Sequence, residues 1–98
     1  MTTTPDWFAR AAALEAEDRL IEAENAIRDN VQDQGFAISI AEMYRKRMLR
    51  LREKGDVQGA AEARQKASDW AYFYASQATS GGEGMALSAQ RDEFLETL

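Results

Sequence analysis

Apolar residues recur along the chain at the three- and four-residue intervals of amphipathic helices, and the lapses between these runs mark five elements. Trp7, Phe8, Ala11 and Leu14 form the first run, with Thr4 placed to cap it, Pro5 at the first helical position and Asp6 in the first turn. The pattern lapses at Glu15-Ala16-Glu17-Asp18. It resumes with Leu20, Ala23, Ile27 and Val31, predicting a second helix over about Arg19 to Val31. Asn30 to Gly35 reads as a loop, where Gly35 supplies a break and Asp33 can cap the next helix. A third helix, about Phe36 to Lys54, turns Ala37, Ile40, Ala41, Tyr44, Met48 and Leu51 inward and Arg45, Lys46, Arg50 and Arg52 outward. Gly55-Asp56 is a strong joint: glycine accepts the left-handed conformation that ends one helix, and aspartate caps the next.

The fourth helix, Val57 to about Ala78, has a narrow inner stripe of Val57, Ala60, Ala67, Ala71, Tyr74 and Ala78. Small residues there let its partner helix come close. Trp70-Ala71-Tyr72-Phe73-Tyr74 puts aromatics around most of its circumference, so something must pack over it. Met85, Leu87, Phe94, Leu95 and Leu98 give a last helix over about 84–98, expected to fold back over most of those aromatics, with Tyr72 the exception. Ser80 followed three residues later by Glu83 fits a capping box and permits an earlier start. β-Branched residues are sparse, so strands have almost no support and the expected class is all-α.

The chain also repeats itself. With Trp7 set over Tyr44, Leu14 falls over Leu51, Asp18 over Gly55, Leu20 over Val57, Ala23 over Ala60 and Ala26 over Ala63, all offset by 37 residues. A single helix from Pro5 to Asn30 is the competing reading of the first part. The alignment decides for a turn, because Asp18 stands where Gly55 does. A large residue, a leucine seven on, a turn residue four further and an alanine five further form a skeleton that resembles the tetratricopeptide repeat. The matching residues are Tyr44, Met48, Leu51, Gly55, Ala60 and Ala67 in the second copy, and Trp7, Ala11, Leu14, Ala23 and Ile27 in the first.

The chain departs from that pattern in several places. The spacing exceeds the family's roughly 34 residues. Asp18 replaces the glycine, Asn30 replaces the closing alanine, and no proline ends either copy. The resemblance implies one domain over 1–98, with repeat 1 at about 5–31, repeat 2 at about 38–78 and a capping helix at about 84–98. A five-helix bundle without repeats is the alternative architecture. The resemblance further implies a concave groove lined by the first helix of each pair, which takes an extended peptide or a partner's helix. By alignment its residues are Phe8, Ala12, Glu42, Arg45, Leu49 and Arg52. The lysine and asparagine clamp with which some family members grip a terminal carboxylate is not reproduced.

Composition narrows the function further. The 98 residues contain no cysteine and no histidine, which removes disulfides, thiolate metal sites and the commonest general base together. No catalytic residue, cofactor or metal site is expected, and paired carboxylates such as Asp92-Glu93 sit on polar helical faces. No apolar run approaches membrane-spanning length and no signal pattern opens the chain, so a soluble, cytoplasmic protein is expected. The net charge of −5 argues against nucleic acid, but it is uneven: −6 over residues 1–42, +5 over 43–66 and −4 over 67–98.

The basic run Arg45-Lys46-Arg47, Arg50, Arg52 and Lys54 has three readings: a patch for an acidic partner, a solvated face steadied by Glu42 with Lys46 and by the acidic second helix, or, least favoured because flanking acidic segments would repel phosphate, a nucleic-acid patch. The segment Ser80-Gly81-Gly82-Glu83-Gly84 could cradle an anion but lacks the lysine and strand of a phosphate loop, and reads as a flexible joint. The expected function is therefore non-catalytic binding of an acidic or amphipathic segment of another protein, of the adaptor, chaperone or toxin-neutralising kind. The candidate contacts are Phe8, Glu42, Arg45, Leu49, Arg52 and Tyr72. The alternative is a homodimer formed through the aromatic half of the fourth helix and the last helix.

Overall fold

A computed structural model describes residues 6–31, 35–78 and 80–98 of the chain. Five α-helices succeed one another, and no strand occurs among the described residues: α1 (Asp6–Ala16), α2 (Leu20–Arg28), α3 (Gly35–Glu53), α4 (Val57–Ser76) and α5 (Gly81–Glu96). The protein is all-α, as the periodicity requires. The expected caps at Thr4 and Asp33, and Pro5, lie outside the described residues.

Two short turns set the architecture, and they share one geometry. Among the described residues, Asp18 and Gly55 are those with positive φ, at 63° and 82°. At the first turn the Arg19 N–H donates to the Leu14 carbonyl (2.9 Å) and the Asp18 N–H to the Glu15 carbonyl (3.0 Å). At the second the Asp56 N–H donates to Leu51 (2.9 Å) and the Gly55 N–H to Arg52 (3.1 Å). This pair of bonds satisfies carbonyls that a helix end leaves open, and it turns the chain sharply back. Leu14 and Leu51 hold equivalent places in the two turns, so the offset of 37 seen in the sequence is repeated in the backbone. The next helices start differently. Asp56 caps α4 by accepting from the Gly59 N–H at 2.9 Å, and a Cβ at position 59 would come within 2.4 Å of that carboxylate. Arg19 makes no cap bond and instead pairs with Glu22 and Glu17.

Within the second hairpin the interface is apolar and close. Ala60, Ala63, Ala67 and Ala71 of α4 are buried against a core that includes Ile40, Ala41, Tyr44 and Met48 of α3. Four alanines at three- and four-residue spacing allow the helix axes to approach, and the larger α3 side chains fill the space between. Val57, expected on this stripe, is instead 79% exposed, because the first residue of α4 sits at the turn and beyond the interface. The first hairpin is a shorter version, closed by Ala11, Leu14, Ala23 and Ile27.

α5 packs on α4 through Leu87 and Phe94, and the Tyr74 hydroxyl donates to Gln90. The glycines at 81, 82 and 84 do not form a joint. They make the first turn of α5, which begins at Gly81 because the Ser80 hydroxyl accepts the Glu83 N–H at 3.1 Å. The expectation that most of Trp70 to Tyr74 lies beneath the last helix also needs correction. Successive helical residues are turned about 100° apart, so the group divides. Tyr74 faces α5, whereas Trp70 and Phe73 turn to Phe36, with ring centroids 5.5–6.1 Å apart, and the Arg28 guanidinium lies 5.4 Å from the Phe36 and Trp70 rings.

Candidate functional site: a groove between the hairpins

α1 and α3, the first helices of the two hairpins, meet sparsely, and the space they leave is a groove of about 420 Å³. α1 contributes Trp7, Phe8, Ala11 and Ala12, whose small alanines open the floor. Ile27 of α2 closes the back, and α3 supplies Ile38, Ser39, Glu42, Met43 and Lys46. Phe8 stands at the mouth, 48% exposed, edge-on to Trp7 (centroids 6.0 Å apart) and with the Lys46 ammonium 5.8 Å from its ring. The lining is aromatic and aliphatic with a few polar groups, which is the usual make-up of a binding cleft.

The charges around the groove are mostly satisfied internally. Glu15, 5% exposed, lies at one end of it. Arg50 grips both of its carboxylate oxygens, with Nη1 to Oε1 at 2.6 Å and Nη2 on Oε2. Arg47 donates to the same carboxylate (2.6 Å), to the Glu15 backbone carbonyl (3.1 Å) and to Asp18 (2.6 Å). Burial pushes the Glu15 carboxyl up, but the two guanidiniums outweigh it and hold the group below the usual carboxylate value. Asp18 is held down by its bond to Arg47. The Tyr44 hydroxyl, raised by burial and by Glu24, donates to the Glu24 carboxylate. Glu42 is paired with Arg45 at 3.0 Å. Lys46 has no carboxylate partner among the described residues.

Of the residues expected in the groove, Phe8, Ala12 and Glu42 come together there. Arg45 does not. With Glu93 and Phe94 of α5 it borders a neighbouring, shallower depression of about 330 Å³ that shares Ile38 and Glu42 with the groove. Leu49 and Arg52 lie further along α3 on exposed surface, and the Arg52 guanidinium reaches the Met48 sulfur at 3.5 Å. Tyr72, 53% exposed as expected, is remote from the groove under the Arg91 guanidinium, 5.1 Å from its ring.

The expected pairing of Glu42 with Lys46 gives way to Glu42 with Arg45, three residues on. The acids that quench the basic run come chiefly from α1 and its turn, not from α2. The sequence pattern did not single out Trp7, Ile38, Met43 and Lys46 as groove residues. The spacing of Ser39, Met43 and Lys46, at i, i+4 and i+7, was the available signal for α3.

No group of three or more acidic, histidine or cysteine side chains is placed to hold a metal ion among the described residues. None of their helices is long and apolar enough to cross a membrane. Fold and site together define an all-α protein with a preformed, mainly apolar groove between two helical hairpins. Compared with protein families, with curated proteins and with solved structures, the chain matches none.

Proposed function

We propose that this chain is a non-catalytic, tetratricopeptide-like binding module that takes an amphipathic helix of another protein into the α1–α3 groove. The observation that carries this reading is the groove itself: Trp7, Phe8, Ile38 and Met43 line a channel whose two acids are already neutralised by arginines. Apolar anchors of a helix, spaced at three and four residues, fit such a channel. Lys46, at the rim beside Phe8 and without a carboxylate partner among the described residues, favours an acidic residue flanking that apolar face. The turns at Asp18 and Gly55, alike in geometry and 37 residues apart, support the repeat reading.

The test is capture from the native lysate by wild type, Phe8→Glu and Arg52→Glu, each shown to be folded and monomeric by circular dichroism and sedimentation. The expected result is a partner held by wild type and Arg52→Glu and lost by Phe8→Glu. Equal retention by all three would remove the groove from consideration. A second reading, self-association, is favoured by the exposure of Tyr72, Phe73 and Met85 on α4 and α5. It predicts a salt-resistant dimer at micromolar concentration that Tyr72→Glu dissociates.

A further inference from the structure

The two interfaces of α3 differ in kind. Toward α4 the contacts are alanines, Ile40 and Met48, with no polar bond among the described side chains. Toward the first hairpin, Tyr44, Arg47 and Arg50 recur every three residues along one side of α3. They meet Glu24, Glu15 and Asp18 in a continuous row of hydrogen bonds and ion pairs. The apolar part of that junction, Ala11 and Ile27 with Trp7, Leu20 and Val31 partly buried beside them and Arg28 stacked on Phe36 and Trp70, is less extensive than the α3–α4 interface. Charged pairs shielded from water are worth most when complete and are strongly destabilising when one partner is removed. Glu15, the centre of the row, also lines the groove.

We infer that the α1–α2 hairpin is a lid latched to α3 by Glu15, Asp18 and Glu24 against Arg47, Arg50 and Tyr44, and that this latch sets the width of the groove. The lid opens by the α1–α2 hairpin drawing away from α3 while the α3–α4 hairpin, held by apolar packing, stays closed. Partial opening of a less stable unit in front of a rigid one is a recognised mode of access to a site. The inference adds regulation to the groove proposed above and rests on it only for that consequence.

Hydrogen exchange read out by mass spectrometry on the full chain tests it without a partner. Wild type and Glu15→Gln are compared at neutral pH and low salt. The expected result is that amides of α1 and α2 exchange roughly 100-fold faster in Glu15→Gln while those of α3 and α4 change by less than about twofold. Equal acceleration in both hairpins would show that they open as one unit and overturn the latch, as would no change in α1 and α2. Should Glu15→Gln fail to fold, Asp18→Asn gives the same test with a smaller expected acceleration, since the turn and the Glu15 pairs remain. In a Trp70→Phe background, Trp7 reports the groove, and its quenching by acrylamide should rise with Glu15→Gln. Confined acceleration without any partner in the capture experiment would overturn the binding reading and leave the latch standing.

Discussion

Asp18 and Gly55 show how different side chains reach one backbone shape. Each ends a first helix in the left-handed region, where a β-carbon is crowded by the following peptide and glycine is not. Nothing lies within 4 Å of a Cβ built on Gly55, so Gly55→Ala meets only the conformational cost. It should lower stability by about 1–2 kcal/mol in denaturant titration. Asp18 tolerates the same geometry as a short polar residue, and its carboxylate has a second role in holding Arg47. Asp18→Asn therefore keeps the turn and weakens the ion pair, whereas Asp18→Gly relaxes the turn and removes the pair. At Glu15 the balance is larger. Glu15→Gln leaves two guanidiniums facing a neutral amide in a nearly dry site and should cost about 3 kcal/mol. That is the lower end of the range for such a break, because Arg50 retains some solvent, with 37% of its side chain exposed.

At the scale of elements, the two junctions of α3 respond to different conditions. Glu15 and Asp18 have carboxyls held below their ordinary values of 4.5 and 3.8. Their contribution to stability is therefore present above those values and is lost as the pH falls through the lower, folded ones. The groups facing them are Arg47 and Arg50 on α3, whose guanidiniums stay charged throughout, with Lys54 further off Asp18. The Tyr44–Glu24 bond lies beside them. Acid below about pH 4 should loosen α1–α2 first, seen as greater exposure of Trp7 in the Trp70→Phe variant before helical circular dichroism from α3–α4 is lost. The α3–α4 interface answers to volume instead. Ala67, fully buried between the helices, has no room for a longer side chain, and Ala67→Leu should cost about 1–3 kcal/mol, measured by thermal unfolding.

Across the whole molecule, the uneven charge read along the chain becomes an internal balance. The basic segment 43–66 lies where it can meet acids of the first hairpin, and three of its arginines (45, 47 and 50) are committed to carboxylates. What faces a partner is thus the groove with Lys46, not a continuous cationic surface. Binding of the proposed acidic, amphipathic helix should consequently weaken only modestly with added salt, by far less than a surface of many free cations would show, as titration at two ionic strengths can establish.

The pattern of apolar residues determined a good deal by itself: the all-α class, five helices, both tight turns and the fold-back at Asp18. These are local properties. Helical periodicity, a left-handed residue and a capping side chain act within four or five positions, so they are legible in a string of letters. Phe8 and Glu42, expected in the groove, do line it. The offset of 37 misplaced Arg45, Leu49 and Arg52, the equivalents of Phe8, Ala12 and Glu15, because α3 turns a different side to the groove, that of Ile38, Glu42 and Lys46.

Which carboxylate meets which arginine is a matter of long-range geometry. Residues 29 to 35 positions apart are brought within 2.6 Å by the crossing of α1 and α3, and no spacing in the sequence encodes that crossing. Packing alone decided that three arginines of the basic run are spent on carboxylates, and that the groove beside them is apolar.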